Sequence, residues 1–155
     1  MTTARQAKRT AAAWPRRVEA NVSIMSDAGV TAARERGRAL ARRLGFSPVE
    51  QVAVTSAISE LAGNVLCFAR SGDISVRVVE SRHTRGIRVT VSDWGPGIED
   101  PDRALADGFS TVGRRGLGLS GVRRMMDDFD IQTRSGQGTV VTVTKWLGTD
   151  GPAAA

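Results

Sequence analysis

Cysteine and histidine are nearly missing from this 155-residue chain: Cys67 and His83 are the only ones. A single cysteine excludes a disulfide within the chain and fits a reducing compartment, so a cytoplasmic location is expected. One residue of each kind also argues against a zinc site, which is built from several such ligands. His83 falls in a polar turn and reads as a surface residue. Cys67, near the end of a helix, reads as partly buried and inert. Aromatic residues make up only 5%, and Trp14, Trp94 and Trp146 are scattered, so no platform for stacking bases is implied. No apolar run approaches the roughly 20 residues that span a bilayer. The basic N-terminus lacks the apolar core of a secretory signal. Neither a membrane nor a nucleic acid is therefore expected as a partner.

Positive charge is present, but mostly at one end. The chain carries a formal +6 at pH 7. Arg5, Lys8, Arg9, Arg16 and Arg17 against Glu19 account for +4 of it within the first 20 residues. An Ala/Thr-rich basic stretch of this kind reads as a solvated, disordered leader over 1–20. The size is that of one domain, able to bury about 70% of its unfolded surface. That domain is expected over 21–147, with a flexible tail over 148–155.

Periodicity supplies the elements. Ala20–Met25 reads as a first strand. Asp27 is the expected N-cap of a helix running to about Leu44, with Ala32, Ala33, Leu40 and Ala41 near one face and arginines on the other. Gly45 ends it. Ser47-Pro48-Val49-Glu50 is a capping box with proline at the first helical position. The second helix is expected to reach about Ala69, with Val54, Ile58, Leu61, Val65 and Phe68 as its apolar stripe. The period then changes to two: Ile74, Val76 and Val78, then Ile87, Val89 and Val91, read as strands joined by a polar turn holding His83 and Gly86. Residues 94–116 read as loop, with a short helical turn near 103–106. A third helix over 118–128 should bury Leu119, Val122 and Met126. Strands over 130–134 and 139–146 follow, with Gly136 in the turn between them. Helices and antiparallel hairpins in blocks predict an α/β two-layer sandwich, its sheet mixed but mostly antiparallel, with helices on one face.

Four short motifs carry chemistry. Glu60 and Asn64 are four apart and share a helical face beside the apolar stripe. A carboxylate there suits a general base, and an amide oxygen suits Mg²⁺. Asp93 closes an alternating strand, where a carboxylate can accept from an exocyclic amine such as adenine's. Gly95 and Gly97 let the backbone pass close to a flat ligand. Gly116-Leu117-Gly118-Leu119 puts a glycine-rich turn at a helix start, where free N–H groups bind phosphate. It is neither a Walker loop nor a Rossmann fingerprint. Gly136-x-Gly138-Thr139 enters the last strand. Taken singly, these motifs also read as a polar helix edge, a strand-end turn and a hairpin. Their order within 80 residues is what describes a nucleotide pocket.

The set resembles the GHKL, or Bergerat-fold, ATPases, which include histidine kinases, DNA gyrase and MutL. In that family's terms Glu60-x-x-x-Asn64 is similar to the N box. Asp93-x-Gly95-x-Gly97 is similar to the first glycine box and Gly116-Leu117-Gly118-Leu119 to the second. Gly136-x-Gly138-Thr139 is similar to the segment carrying an adenine-holding threonine. Within the family the likeness narrows to the switch serine/threonine kinases of the bacterial stressosome. It is carried by Ala32-Ala33-Arg34 through Leu44-Gly45-Phe46, Ala57-Ile58-Ser59-Glu60-Leu61-Ala62-x-Asn64 and Asp107-Gly108-Phe109-Ser110-Thr111. Gly121-Val122-x-Arg124-Met125-Met126-Asp127 and Lys145-Trp146-Leu147 extend it. The resemblance implies ATP and Mg²⁺, with STAS-domain proteins as phosphoryl acceptors and a PP2C-type phosphatase activated by binding. A sigma factor is the alternative partner, and monomer and homodimer both stay open. It implies Glu60 as general base and Asn64 as Mg²⁺ ligand. Asp93, Gly95, Gly97, Ile98 and Thr139 would surround adenine, and Gly116, Leu117, Gly118 and Leu119 the phosphates. Two departures stand out: the long leader, and Arg114-Arg115 in a lid that is less charged in the relatives.

Overall fold

The computed structural model describes residues 18–106 and 118–148. Its elements run β1 (Val18–Ile24), α1 (Asp27–Leu44), α2 (Pro48–Asn64), a π-helical turn (Val65–Ala69), β2 (Gly72–Glu80), β3 (Arg85–Asp93), α3 (Pro101–Ala104), α4 (Gly118–Met125), β4 (Asp128–Arg134) and β5 (Gly138–Trp146). The five strands lie in the order β1-β2-β3-β5-β4. Where a mixed sheet was expected, all four pairings are antiparallel. β1 starts at Val18, inside the stretch expected as leader.

Alternation decides which face is covered. Ile74 and Val76, Ile87, Val89 and Val91, and Val141 and Val143 form one buried cluster with Ala33, Leu40, Ala41, Val54, Ala57, Ile58 and Leu61 of the helices. The residues between them point the other way. Asn21, Ser75, Thr90, Thr142 and Asp130 make a polar row across all five strands.

The helix ends follow local chemistry. Ser26, not Asp27, is the N-cap of α1; its side chain makes no capping bond, and Asp27 sits in the first turn. Gly45, at φ 84°, closes α1. At α2 the Ser47 hydroxyl accepts from the Glu50 N–H at 3.2 Å, and Glu50 Oε2 accepts from the Ser47 N–H at 2.7 Å. Glu50 is only 3% exposed. Its second oxygen accepts from the Gly148 N–H at 2.7 Å, tying the end of the fold to the start of its central helix.

The helix does reach Ala69, but its last five residues are π-helical. The wider turn rotates the stripe out of phase. Phe68, expected in the core, is 45% exposed, and Cys67 is exposed rather than partly buried. From Pro48 to Ala69 the helix has a mean hydropathy of 1.5 in its most apolar stretch, so it is long and apolar enough to cross a membrane by composition alone. By that measure a stretch of spanning length is present where none is expected from the sequence. Here the helix is the core helix, packed on α1, α4 and the sheet.

Gly86 lies within β3 rather than in the turn, and His83 is exposed as expected. The short helical turn falls at Pro101–Ala104. α4 ends at Met125, three residues earlier than predicted, because β4 already begins at Asp128. Val122 and Met126 are buried; Leu119 is only half-buried. Lys145 of β5 is 3% exposed. Its ammonium donates to the Met125 carbonyl at 3.1 Å and sits 3.6 Å from Asp127, a cation at the C-terminal end of α4 where the helix dipole favours it.

Candidate functional site: a nucleotide pocket at the end of the sheet

Register places Gly72, Asp93, Thr139 and Thr133 side by side at one end of four strands. Asp93 Oδ1 accepts from the Gly95 N–H at 2.9 Å, a turn built from the aspartate's own side chain. Its other oxygen has no partner among the described residues. The Thr139 hydroxyl, in a residue only 8% exposed, lies 2.9 Å from that of Thr133. The Thr133 hydroxyl also accepts from the Ile98 N–H at 2.8 Å. The Gly136 N–H donates to the Pro96 carbonyl at 2.7 Å. The loop after Asp93 is thereby stitched to the β4–β5 hairpin.

Two glycines make that stitching possible. Gly97 (φ 77°) and Gly138 (φ 89°) both adopt left-handed backbone. A Cβ on Gly97 would strike the Arg134 carbonyl, and one on Gly138 would strike the Asp93 carbonyl. A Cβ on Gly95 would come 2.6 Å from the Ala69 Cβ, so the π-turn closes the same loop from its other side.

The helical wall reaches this row through Val65. A Cβ on Gly72 would lie 2.9 Å from Val65 Cγ1 and 3.3 Å from Asp93 Cβ. Asn64, the last residue of α2, immediately precedes Val65. One turn back is Glu60, half-buried like Asn64. Its Oε2 accepts from the Gly118 N–H at 3.3 Å, joining α2 to the head of α4. Gly118 and Leu119 open that helix. Gly116, Leu117, Asp107–Thr111 and Arg114-Arg115 lie outside the described residues. Asp93 and Thr139 share a row with a glycine floor, while Glu60 and Gly118 meet at a second point. Along α2, Asn64 falls between Glu60 and Val65.

Two residues of this arrangement escape the sequence reading. Thr133 mirrors Thr139 about Gly136, three residues on either side, and that symmetry marks it as a hairpin partner. Gly72 faces Asp93, and counting back along the two alternating strands would have paired them. Among the described residues no group of three or more His, Cys, Asp or Glu could hold a metal ion.

The model of the histidine kinase-like ATPase domain matches residues 24–145. The chain belongs to the histidine kinase-like ATPase family. Within it, the chain is 44% identical over 126 residues to a protein named serine/threonine-protein kinase RsbT from Bacillus subtilis, covering 81% of this chain and 95% of RsbT. An anti-sigma F factor of Caldanaerobacter subterraneus is 30% identical over 64% of this chain and 73% of its own length. The RsbU and RsbW domains of a Mycobacterium tuberculosis protein share the fold, with TM-score 0.56 and 16% identity over 83% of this chain and 32% of that longer one. The histidine kinase-like ATPase fold therefore rests on both sequence and structure.

Proposed function

We propose that this chain is a serine/threonine protein kinase that phosphorylates STAS-domain antagonist and scaffold proteins. Released from them, it would activate a PP2C-type phosphatase in cytoplasmic sigma-factor signalling. Family membership supports ATP as the donor, and the likeness to RsbT supports the protein-kinase class. The observation that carries the reading is the contact between Glu60 and Gly118. It brings a carboxylate to the helix head where the second glycine box would hold phosphates.

The residues then take these roles. Asp93 accepts from the adenine amine, with Gly95, Gly97, Ile98 and Thr139 around the ring. Gly116, Leu117, Gly118 and Leu119 would line the phosphates with backbone N–H groups, the Gly118 N–H exchanging its bond to Glu60 for one to phosphate. Asn64 would hold Mg²⁺ through its amide oxygen, and the ion would offset the charge of the phosphates. The acceptor hydroxyl oxygen bonds to the γ-phosphorus as the bond to the bridging oxygen breaks. ADP leaves, and the hydroxyl proton passes to Glu60.

The test is transfer of labelled γ-phosphate from ATP to a STAS-domain protein of the same genome. Glu60→Gln is expected to keep ATP binding and lose transfer by about 10²–10⁴-fold. Transfer near wild type would remove the base assignment. Asn64→Asp should alter the Mg²⁺ dependence of binding, and Asp93→Asn should weaken ATP. A second reading, supported by relatives named anti-sigma F factor, is a kinase that grips a sigma factor directly. Co-elution with a sigma factor but with no STAS protein would favour it. ATP binding without label on any acceptor would favour a non-catalytic, ATP-gated binding switch.

A further inference from the structure

We propose that Thr133 fixes the Thr139 hydroxyl as a hydrogen-bond donor towards the base and thereby selects adenine over guanine nucleotides. The inference rests on the reading of Asp93 and Thr139 as the residues that face adenine.

A hydroxyl has one proton and two acceptor positions. The Ile98 N–H occupies one acceptor position of Thr133 at 2.8 Å. The Thr133 proton then has two destinations: the Gly138 carbonyl at 3.3 Å, or the Thr139 oxygen at 2.9 Å. The first lies beyond the usual range for O–H donors and the second within it. Either hydroxyl can donate in the shorter pair; in the relay proposed here Thr133 is the donor, its nearer acceptor being Thr139. With Thr139 receiving a hydrogen bond from the hairpin side, its own proton is directed away from Thr133, on the Asp93 side of the row.

The row now reads as acceptor then donor: Asp93 carboxylate, Thr139 hydroxyl. Adenine presents the complement, an amine beside ring nitrogens that only accept. Guanine carries a carbonyl where adenine carries the amine, so the Asp93 carboxylate would face oxygen lone pairs. Were the Thr133 proton given to Gly138 instead, Thr139 would turn its proton back to Thr133. It would then offer only lone pairs to a ring nitrogen that also has only a lone pair. Thr133 thus decides the sign of a contact it does not itself make, as a positioning residue.

Calorimetric titration of wild type, Thr133→Val and Thr133→Ser with ATP, GTP, 1-deaza-ATP and 7-deaza-ATP tests this. Each deaza analogue lacks one ring nitrogen beside the amine. Wild type should prefer ATP to GTP and bind one deaza analogue roughly tenfold more weakly, the loss of one hydrogen bond. In Thr133→Val the Thr139 hydroxyl keeps its proton but loses the partner that fixes its direction, so that penalty should shrink and the ATP-to-GTP ratio should narrow. Thr133→Ser keeps the hydroxyl and should restore both. Valine also removes the acceptor for the Ile98 N–H, and the analogues separate the two effects. If Thr133→Val weakens ATP and both analogues by one common factor, Thr133 only props the loop and the relay is wrong. Equal binding of ATP and both analogues by wild type also overturns it. No binding of any adenine nucleotide by wild type overturns the pocket reading beneath it.

Discussion

The tightest point of the candidate site is a pair of backbones rather than side chains. Gly138 passes so close to Asp93 that a Cβ would meet its carbonyl, and its φ is 89°. Gly136, two residues earlier, has a similar φ of 76° with nothing within 4 Å of a Cβ. The two glycines separate strain from collision. Gly136→Ala should cost about 1–2 kcal/mol, the price of a left-handed alanine. Gly138→Ala adds a collision with backbone that cannot swing aside, and should cost roughly 2–4 kcal/mol. Urea titration of both variants checks the ordering; equal losses would show that the Asp93–Gly138 approach is looser than described. A residue-scale reading could find both glycines in the motif. It could not tell them apart, because only the β3–β5 register brings one of them against a carbonyl.

At the scale of elements, the start of α2 is the best-determined joint. Ser47→Ala removes one capping acceptor and should cost about 1 kcal/mol. Glu50→Ala strips partners from both the Ser47 and the Gly148 N–H groups at a buried position, and should cost roughly 2–4 kcal/mol. A smaller loss for Glu50→Ala than for Ser47→Ala in melting experiments would refute the double role. The local half of this joint was legible, since Ser47-Pro48-Val49-Glu50 is a contiguous signal. The bond to Gly148 was not, because it spans 98 residues and depends on how β5 ends. The same division holds elsewhere. Gly45 and the alternation of Ile74 with Val76 are local and read correctly. Phe68 was misplaced because a π-turn breaks helical phase without a local signature. Thr133 was missed because its role comes from the hairpin and the loop after Asp93, not from its own strand. Buried Lys145 drew notice only as part of a resemblance, although it caps α4 through its ammonium.

At the scale of the molecule, the proposed nucleotide site would join elements far apart in sequence, from Glu60 on α2 to Thr139 on β5. A nucleotide that binds only the folded state should therefore stabilise the whole domain. At a hundred times its dissociation constant, ATP with Mg²⁺ should add about 2.7 kcal/mol. For a chain of this size that is roughly 5–10 °C in Tm. Thermal melts with and without nucleotide check it, and Asp93→Asn should flatten the shift. An equal shift in that variant would place the nucleotide elsewhere. The contrast between the frozen glycine floor and the side chains beside it also bears on divergence. Substitutions at Gly97 or Gly138 are barred by neighbouring carbonyls, so lineages descending from this chain would keep the backbone path at this end of the sheet. On the proposed reading, their choice of nucleotide would drift through Asp93, Thr139 and Thr133, and a change at Asp93 or Thr133 would also have to replace the bond each makes to the Gly95 or Ile98 N–H.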